Sequence, residues 1–233
     1  MTWAIVPAAG SGARFGGDIP KQYCLLDGKP LLAQTLFRLL APPRIDGVML
    51  ALAADDAHWR TLHHDFGKPV LTCVGGVDRA ASVLAALRAL PAAVGDADVV
   101  LVHDAARPCV RVTDLDRLLT TANAERDGAL LAAPVGDTLK RADARGCVDA
   151  TVARNGLWRA LTPQAFRRGL LTDALERADA DGITVTDEAM AIERMGLHPR
   201  LVDGRQDNIK VTVAEDLALA EHILAIQRHE GEP

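Results

Sequence analysis

The sequence predicts an α/β protein in which helices cover both faces of a mostly parallel sheet. Short runs rich in β-branched and apolar residues alternate along the chain with longer segments of helical periodicity. This alternation is typical of parallel strands joined by crossover helices. The chain has 233 residues, 49% of them hydrophobic, which suits one large domain. We therefore expect a single Rossmann-like domain over residues 1–233.

The same patterns place the individual elements. Strands are expected at Trp3–Ala8, Val48–Leu52, Val70–Val74, Val99–His103 and Leu130–Pro134. Helices are expected between them, at Leu31–Leu40, Ala80–Leu90 and Asp114–Glu125. The last third of the chain is expected to hold helices at Ala165–Ala178, Asp187–Met195 and Val213–Ile226, a strand at Arg200–Val202, and a frayed end from His229.

Residues 137–158 interrupt this alternation. Two strand-like runs flank a polar turn, Ala142-Asp-Ala-Arg-Gly146, and are long enough to project as a β-hairpin. A hairpin with little core of its own needs a partner surface. We interpret it as a dimerisation arm, which predicts a homodimer.

Composition argues against several classes of protein. The net charge is −5 and no tract rich in lysine and arginine is present, which argues against a nucleic-acid partner. No apolar run approaches the roughly 20 residues that cross a bilayer, and no basic segment precedes the apolar start. The four cysteines are too widely separated to suggest a metal site or a disulfide framework. We expect a cytoplasmic protein without a membrane partner.

The first strand runs into a glycine-rich loop, Gly10-Ser-Gly-Ala-Arg-Phe-Gly-Gly17, that is flanked by cations. Glycines let backbone N–H groups approach a ligand, and the side chains of Arg14 and Lys21 would neutralise an anion held there. The loop lacks the Gly-Lys-Ser/Thr end of a Walker A motif, and Phe15 occupies the third glycine position of the dinucleotide fingerprint. We predict a triphosphate-binding loop; a glycine-rich turn without a ligand is the alternative.

Two further clusters follow predicted strands, and ligands of parallel sheets bind beyond the carboxyl ends of strands. Gly75-Gly76 and Ser82 could contact the edge of a base, although a tight turn capped by Asp78 explains the segment equally well. Asp104 and Arg107 could bind a substrate hydroxyl and a phosphate, or could form a simple ion pair.

Two segments near the end of the sequence also contain candidate ligand-binding residues. Thr186 would present a hydroxyl to a polyol, although Thr186-Asp187 is also a good helix start. Lys210 lies in an apolar, strand-like stretch, where a cation is costly unless it meets an anion. We favour a phosphate as that anion.

Covalent catalysis is not expected. The histidines are scattered, so no zinc site or nucleophile triad can be assembled from their spacing, and no serine lies in a Gly-x-Ser-x-Gly elbow. What remains is phosphoryl or nucleotidyl transfer that depends on positioning and on electrostatic stabilisation.

Seven blocks, in order and over nearly the whole chain, carry a resemblance to one enzyme family. The sequence resembles the 2-C-methyl-D-erythritol 4-phosphate cytidylyltransferases of the non-mevalonate isoprenoid pathway. The blocks are Pro7-Ala-Ala-Gly-Ser-Gly-Ala-Arg-Phe with Pro20-Lys-Gln, Val102-His-Asp-Ala-Ala-Arg-Pro, Ala133-Pro-Val-Gly-Asp-Thr-Leu-Lys, Arg154-Asn-Gly-Leu-Trp, Leu161-Thr-Pro-Gln, Thr186-Asp-Glu and Asp207-Asn-Ile-Lys-Val-Thr.

The resemblance implies a single nucleotidyltransferase domain that makes 4-diphosphocytidyl-2-C-methyl-D-erythritol and pyrophosphate from CTP and the polyol phosphate. It implies a homodimer with a shared active site, and Mg²⁺ carried mainly by the CTP phosphates rather than by protein ligands. The implied catalytic residues are Arg14, Lys21, Arg154 and Lys210. The implied nucleotide-binding residues are Ala8, Ala9, Gly10, Gly76, Ser82 and Ala105. Asp104, Arg107 and Thr186, with Thr138 and Arg154 from the partner subunit, would bind the acceptor.

Two positions depart from the family pattern, and three alternatives stay open. Val77 and Ala153 stand where the family often has acidic residues. A ribitol-5-phosphate cytidylyltransferase shares the first loop and the Asp-Ala-Ala-Arg-Pro block, but Arg154-Asn-Gly-Leu-Trp and Leu161-Thr-Pro-Gln favour methylerythritol. A sugar-1-phosphate nucleotidylyltransferase and a non-catalytic nucleotide-binding protein are the others; the latter should have lost Arg14, Lys21 or Lys210.

Overall fold

The computed structural model describes residues 1–10, 15, 19–62 and 64–233. The strands of the described residues are β1 Thr2–Pro7, β2 Leu25–Leu26, β3 Lys29–Pro30, β4 Gly47–Leu52, β5 Val70–Val74, β6 Val99–Val102, β7 Ala129–Pro134, β8 Leu139–Ala142, β9 Val148–Val152, β10 Trp158–Arg167 and β11 Arg200–Asp203. The α-helices are α1 Leu31–Leu40, α2 Ala57–Thr61, α3 Arg79–Ala89, α4 Val112–Ala124, α5 Arg168–Ala180, α6 Glu188–Glu193 and α7 Glu215–His229.

The central sheet is mostly parallel, which confirms the predicted α/β class. Within the described part of the chain it has the strand order β11-β7-β10-β6-β1-β4-β5. β1 pairs in parallel with β4 and β6, and β4 and β7 pair in parallel with β5 and β11. Only β10 is antiparallel to its neighbours in this sheet, β6 and β7. The carboxyl ends of β1, β5 and β6 therefore meet at one edge.

Helices cover both faces because the side chains of each buried strand alternate between two cores. Ala4 and Val6 of β1 pack on one face with α1 and α4, while Trp3 and Ile5 pack on the other with α3, α5 and α6. All four of these β1 side chains are buried. A strand buried on both faces explains why the sequence shows a continuous apolar run there.

The predicted hairpin is present as a separate two-stranded sheet. Leu139 pairs with Val152 and Lys140 with Thr151 in the antiparallel pair β8–β9. Most side chains of this hairpin are exposed, including Val148. Such a small, open sheet has almost no core of its own in the single chain.

The strand β10 was not predicted. We expected a helix over Ala165–Ala178, but Ala165 and Phe166 lie in β10, and the helix α5 begins only at Arg168. The strand contains Pro163, and its pairing with β7 is irregular between Ala160 and Gln164. Proline and an irregular pairing both obscure the two-residue period by which strands are found in sequences.

The end of the chain is packed rather than frayed, so that prediction was wrong. The helix α7 continues to His229, and the carboxylate of Glu230 accepts a hydrogen bond from Arg111. The carboxylate of Glu232 accepts a hydrogen bond from the backbone N–H of Val112. These contacts tie the chain end to the start of α4.

Candidate active site

A cavity of about 360 Å³ opens at the carboxyl ends of β1, β5 and β6. This is the neighbourhood that the parallel-sheet rule predicted. The lining residues come from the ends of these three strands and the segments after them, from Lys21 and Gln22, and from Lys210. They are Pro7, Ala8, Ala9, Gly10, Lys21, Gln22, Gly76, Val77, Asp78, Arg79, Ser82, Asp104, Ala105, Ala106 and Lys210. Nine of the predicted site residues are among them: Lys21, Lys210, Ala8, Ala9, Gly10, Gly76, Ser82, Ala105 and Asp104.

One side of the cavity is formed mainly by backbone from two loops that lie very close together. A Cβ atom added to Gly75 would lie 2.6 Å from the Cβ of Ala9 and 2.9 Å from Oγ of Ser82, so only glycine fits there. The hydroxyl of Ser82 accepts a hydrogen bond from the N–H of Gly76 at 3.1 Å and donates one to the carbonyl of Asp78 at 2.8 Å. The result is a narrow wall of fixed backbone groups.

Two local interactions fix the ends of this wall. The carboxylate of Asp78 accepts a hydrogen bond from the N–H of Ala81 at 2.8 Å and so caps α3, as the turn interpretation predicted. The side-chain amide of Gln22, which is buried, donates to the carbonyl of Ala8 at 3.0 Å. Next to it, the ammonium of Lys21 donates to the carbonyl of Val211 at 2.9 Å and faces the cavity.

The other side of the cavity is a cluster of charges around Asp104. Its Oδ2 atom lies 2.9 Å from Nζ of Lys210 and 3.5 Å from Nε of Arg107, and its Oδ1 atom lies 3.1 Å from Nε of Arg79. Burial of the Asp104 carboxyl group would raise its pKa, but the charges of Arg79, Lys210 and Arg107 outweigh that effect. The pKa of Asp104 is held well below its usual value, so this side chain stays a carboxylate.

Arg79 and Glu188 complete the cluster, and neither was predicted as a site residue. Two nitrogens of the Arg79 guanidinium donate to the two carboxylate oxygens of Glu188 at 2.5 and 3.1 Å. Three cations thus surround two carboxylates, and the cluster carries a net positive charge. Both residues lie in segments that contain predicted site residues, Gly75–Ser82 and Thr186-Asp-Glu. No role was predicted for Arg79 or Glu188, because each position is also explained by a turn or a helix start.

The surroundings of Lys210 differ from the expectation. The segment after β11 is irregular rather than a strand, and the Lys210 side chain is 41% exposed. Backbone contacts place the segment instead, since the N–H of Val211 donates to the carbonyl of Ala106, and Arg107 donates to the carbonyl of Asn208. The anion that Lys210 meets in the chain itself is the carboxylate of Asp104.

Arg107 contacts Asp104 without lining the cavity, and four other predicted residues lie elsewhere or outside the described part of the chain. Thr138 and Arg154 are exposed on the hairpin arm, where Arg154 donates to the carbonyl of Gly136, and neither lines the cavity of its own chain. Thr186 is exposed, and its hydroxyl contacts Sδ of Met190. The prediction for Arg14 lies outside the described residues.

A buried histidine links the two ends of the Asp104–Arg107 segment. The ring Nε2 of His103 lies 2.9 Å from the carbonyl of Arg107, and Nδ1 lies 3.0 Å from the hydroxyl of Thr162, which accepts from the N–H of Asp104. A carbonyl can only accept, so Nε2 carries the proton, and Nδ1 accepts from Thr162. With this neutral tautomer, each hydrogen bond among His103, Arg107, Thr162 and Asp104 has one donor and one acceptor.

We expect His103 to stay neutral down to about pH 4, because complete burial lowers its pKa from 6.5 to about 4. Between these two values the unfolded chain binds a proton that the folded chain does not. The stability associated with the neutral ring is therefore complete above pH 6.5 and falls by about 3 kcal/mol as the pH drops to 4. Long-range ¹H–¹⁵N NMR measures both tautomer and pKa; a midpoint near 6.5 would contradict this assignment.

Comparison with known proteins identifies the family. Residues 2–226 match the family described as IspD, 2-C-methyl-D-erythritol 4-phosphate cytidylyltransferase. The chain is 58% identical over 223 residues to the 2-C-methyl-D-erythritol 4-phosphate cytidylyltransferase of Xanthomonas campestris pv. campestris strain 8004, covering 96% of this chain and 84% of that protein. It is 57% identical over 223 residues to the protein of the same name from Xanthomonas oryzae pv. oryzae strain PXO99A, again over 96% of this chain and 82% of that one.

Solved structures give the same result for the fold. A crystal structure of 4-diphosphocytidyl-2C-methyl-D-erythritol synthase superimposes with a TM-score of 0.83 at 35% identity, covering 96% of this chain and 97% of that one. The Francisella tularensis 2-C-methyl-D-erythritol 4-phosphate cytidylyltransferase gives 0.81 at 33% identity, covering 95% and 99%. Sequence and structure agree over nearly the whole chain, and the protein therefore belongs to the family of 2-C-methyl-D-erythritol 4-phosphate cytidylyltransferases.

Proposed function

We propose that this protein transfers the cytidylyl group of CTP to 2-C-methyl-D-erythritol 4-phosphate and releases pyrophosphate. One observation carries the proposal beyond family membership: the cavity has a backbone-lined side and a charged side, which suit a nucleotide and a phosphorylated polyol. Lys21 and Lys210 both line the cavity, and we infer that the two reactants would meet beside them. A transfer between two anionic reactants needs cations at that junction.

The backbone-lined side would hold the nucleotide. Fixed N–H and C=O groups of residues 8–10 and of Gly76 can pair with the edge of a base, and Ala105 lies where a ribose would follow. A Cβ atom at Gly75 would clash with Ala9 and Ser82, so the two loops that form this wall lie close together. We infer that this wall favours a pyrimidine over a purine by size as well as by hydrogen bonding.

The charged side would hold the acceptor. Lys210 and Arg107 would bind its phosphate, and Asp104, whose pKa is held well below its usual value, would accept hydrogen bonds from its hydroxyl groups. Thr186 would add a hydroxyl from the neighbouring loop. Because Thr186 does not line the cavity, we infer that it would contact the outer end of the acceptor.

The chemistry follows from positioning rather than from a base. A phosphate oxygen of the acceptor attacks the α-phosphorus of CTP in line, forming a new P–O bond while the bond from the α-phosphorus to the bridging oxygen breaks. The electron pair leaves with pyrophosphate. The attacking phosphate is already anionic at neutral pH, so no side chain needs to remove a proton. Lys21 and Arg14 would stabilise the negative charge that develops on the transferred and departing groups.

Mg²⁺ would be bound by the phosphate oxygens of CTP, where it offsets their charge. The carboxylates of the site support this arrangement, since both oxygens of Asp104 already contact cations and the carboxylate of Asp78 caps α3. Within the described ranges, no group of three or more His, Cys, Asp or Glu residues is arranged to hold a metal ion. Phosphate oxygens are the ligands that Mg²⁺ prefers in nucleotide sites.

We further propose a homodimer in which the arm of one subunit completes the active site of the other. The arm exposes Val148, Leu157 and Trp158, apolar side chains that a partner surface would cover. It also exposes Thr138 and Arg154 away from the cavity of their own chain.

Across the described residues no helix is long and apolar enough to span a membrane. We propose that the protein acts in the cytoplasm.

The acceptor is tested by measuring pyrophosphate release with CTP, Mg²⁺ and either 2-C-methyl-D-erythritol 4-phosphate or ribitol 5-phosphate. We expect a higher kcat/KM for the methylerythritol compound. Faster turnover of ribitol 5-phosphate would show instead that the protein acts as a ribitol-5-phosphate cytidylyltransferase. A parallel series with ATP, GTP and UTP tests the nucleotide side, where CTP is expected to be preferred.

A further inference from the structure

Arg79 connects three segments of the active site. It is the first residue of α3 and follows directly on the loop that would bind the nucleotide. Its guanidinium contacts Asp104, which follows β6, and Glu188, which begins α6 just after Thr186. A single side chain thus joins the nucleotide loop to both segments that would bind the acceptor.

The contacts of Arg79 fix its orientation. Glu188 holds the guanidinium with two hydrogen bonds, at 2.5 and 3.1 Å, and the Glu188 side chain is only 1% exposed. The paired geometry of an arginine and a carboxylate restricts rotation far more than a single contact does. A buried carboxylate that lost its arginine would be left uncompensated, so the pair persists as a unit.

This unit in turn fixes the carboxylate of Asp104. Nε of Arg79 lies 3.1 Å from Oδ1, while Lys210 and Arg107 approach Oδ2. Each of the two oxygens contacts at least one cation, which restricts rotation of the carboxylate. On the Oδ2 side, Lys210 is 41% exposed, and Arg107 is held by its hydrogen bond to the carbonyl of Asn208. On the Oδ1 side, Arg79 is held by the buried Glu188 and fixes the position of that oxygen.

We propose that Arg79 is a positioning residue that, held by Glu188, orients Asp104 toward the acceptor. This proposal rests on the function proposed above and adds two residues that act through Asp104 rather than on the reacting atoms. It predicts a selective effect: weakening the Arg79–Glu188 pair impairs use of the acceptor much more than use of CTP.

The test compares Glu188→Gln and Arg79→Lys with the wild type and with Arg88→Lys. Arg88 lies on the same helix, but its ion pair with Glu176 is exposed, which makes it a matched control. For both test variants we expect KM for the acceptor to rise by at least about tenfold, while KM for CTP changes less than about threefold. Arg88→Lys should behave as wild type.

Equal increases in KM for the acceptor and for CTP, or an unchanged KM for the acceptor in the two test variants, would overturn the positioning role. Thermal unfolding of each variant shows whether a loss of activity comes from unfolding. Glu188→Gln and Arg79→Lys each change one partner of the ion pair, so the same effect in both would point to the pair itself. Turnover of the wild type is measured first, since its absence would refute the proposed function and not the positioning. In that case, crystal structures of the wild type and of Arg79→Gln test the positioning role. We expect the orientation of the Asp104 carboxylate to differ between the two, and an unchanged orientation would refute the proposal.

Discussion

Replacing Lys21 with alanine is expected to raise the barrier to cytidylyl transfer by at least about 3 kcal/mol, a loss of more than about a hundredfold in kcat. The ammonium of Lys21 faces the cavity while its contact with the carbonyl of Val211 directs the side chain. A cation held at the junction of two anionic reactants contributes most when charge shifts to the departing pyrophosphate. The loss should therefore appear in kcat more than in KM for CTP.

The control for this change is Lys29→Ala. Lys29 is exposed and lies outside the cavity, with its ammonium 4.7 Å from the centre of the Phe37 ring, so removing it changes the total charge equally without touching the site. Steady-state kinetics of both variants at saturating acceptor separate the local role from the global one. Near-normal turnover of Lys21→Ala would remove this residue from the mechanism.

Mixing Arg154→Ala and Lys21→Ala subunits is expected to restore activity that neither variant has alone. If Arg154 acts across the dimer, a mixed dimer has one site that contains both an intact Lys21 and an intact Arg154, and another site that lacks both. Such a dimer should retain about half the wild-type activity. The expectation follows from the exposed position of Arg154 on the arm, away from the cavity of its own chain.

Differently tagged subunits, co-expressed and purified through both tags, provide the verified mixed dimer. Each variant homodimer, purified in the same way, gives the background. A mixed dimer as inactive as these homodimers would show that the two residues do not meet across subunits. A protein that stays monomeric at assay concentration would refute the shared site altogether.

Much of the fold could be predicted because buried parallel strands leave a strong sequence signal. Val70–Val74 and Leu31–Leu40 were predicted with the bounds that the structure has, and β1 and β4 within one residue at each end. β10 escaped prediction because it lies between two strands as an antiparallel insertion. It contains Pro163 and leads directly into α5 without a turn, so nothing in the sequence separates strand from helix.

The site shows a similar division between what the sequence reveals and what it does not. Rules for parallel sheets brought the loops after β1, β5 and β6 together, and the cavity lies there. The roles of Arg79 and Glu188 could not be predicted from local patterns, because 109 positions separate the two residues and each has a good local explanation. Only the tertiary fold, which brings the first residue of α3 to the first residue of α6, makes them partners.

The most direct test of the proposed reaction follows the oxygen atoms of the acceptor phosphate. The protein is incubated with CTP, Mg²⁺ and 2-C-methyl-D-erythritol 4-phosphate labelled with ¹⁸O in its phosphate, and the products are examined by ³¹P NMR and mass spectrometry. Attack on the α-phosphorus predicts that all the label stays in 4-diphosphocytidyl-2-C-methyl-D-erythritol, including the bridging oxygen, and that the pyrophosphate is unlabelled. Labelled pyrophosphate, or consumption of CTP without a cytidylylated product, would contradict the proposed transfer.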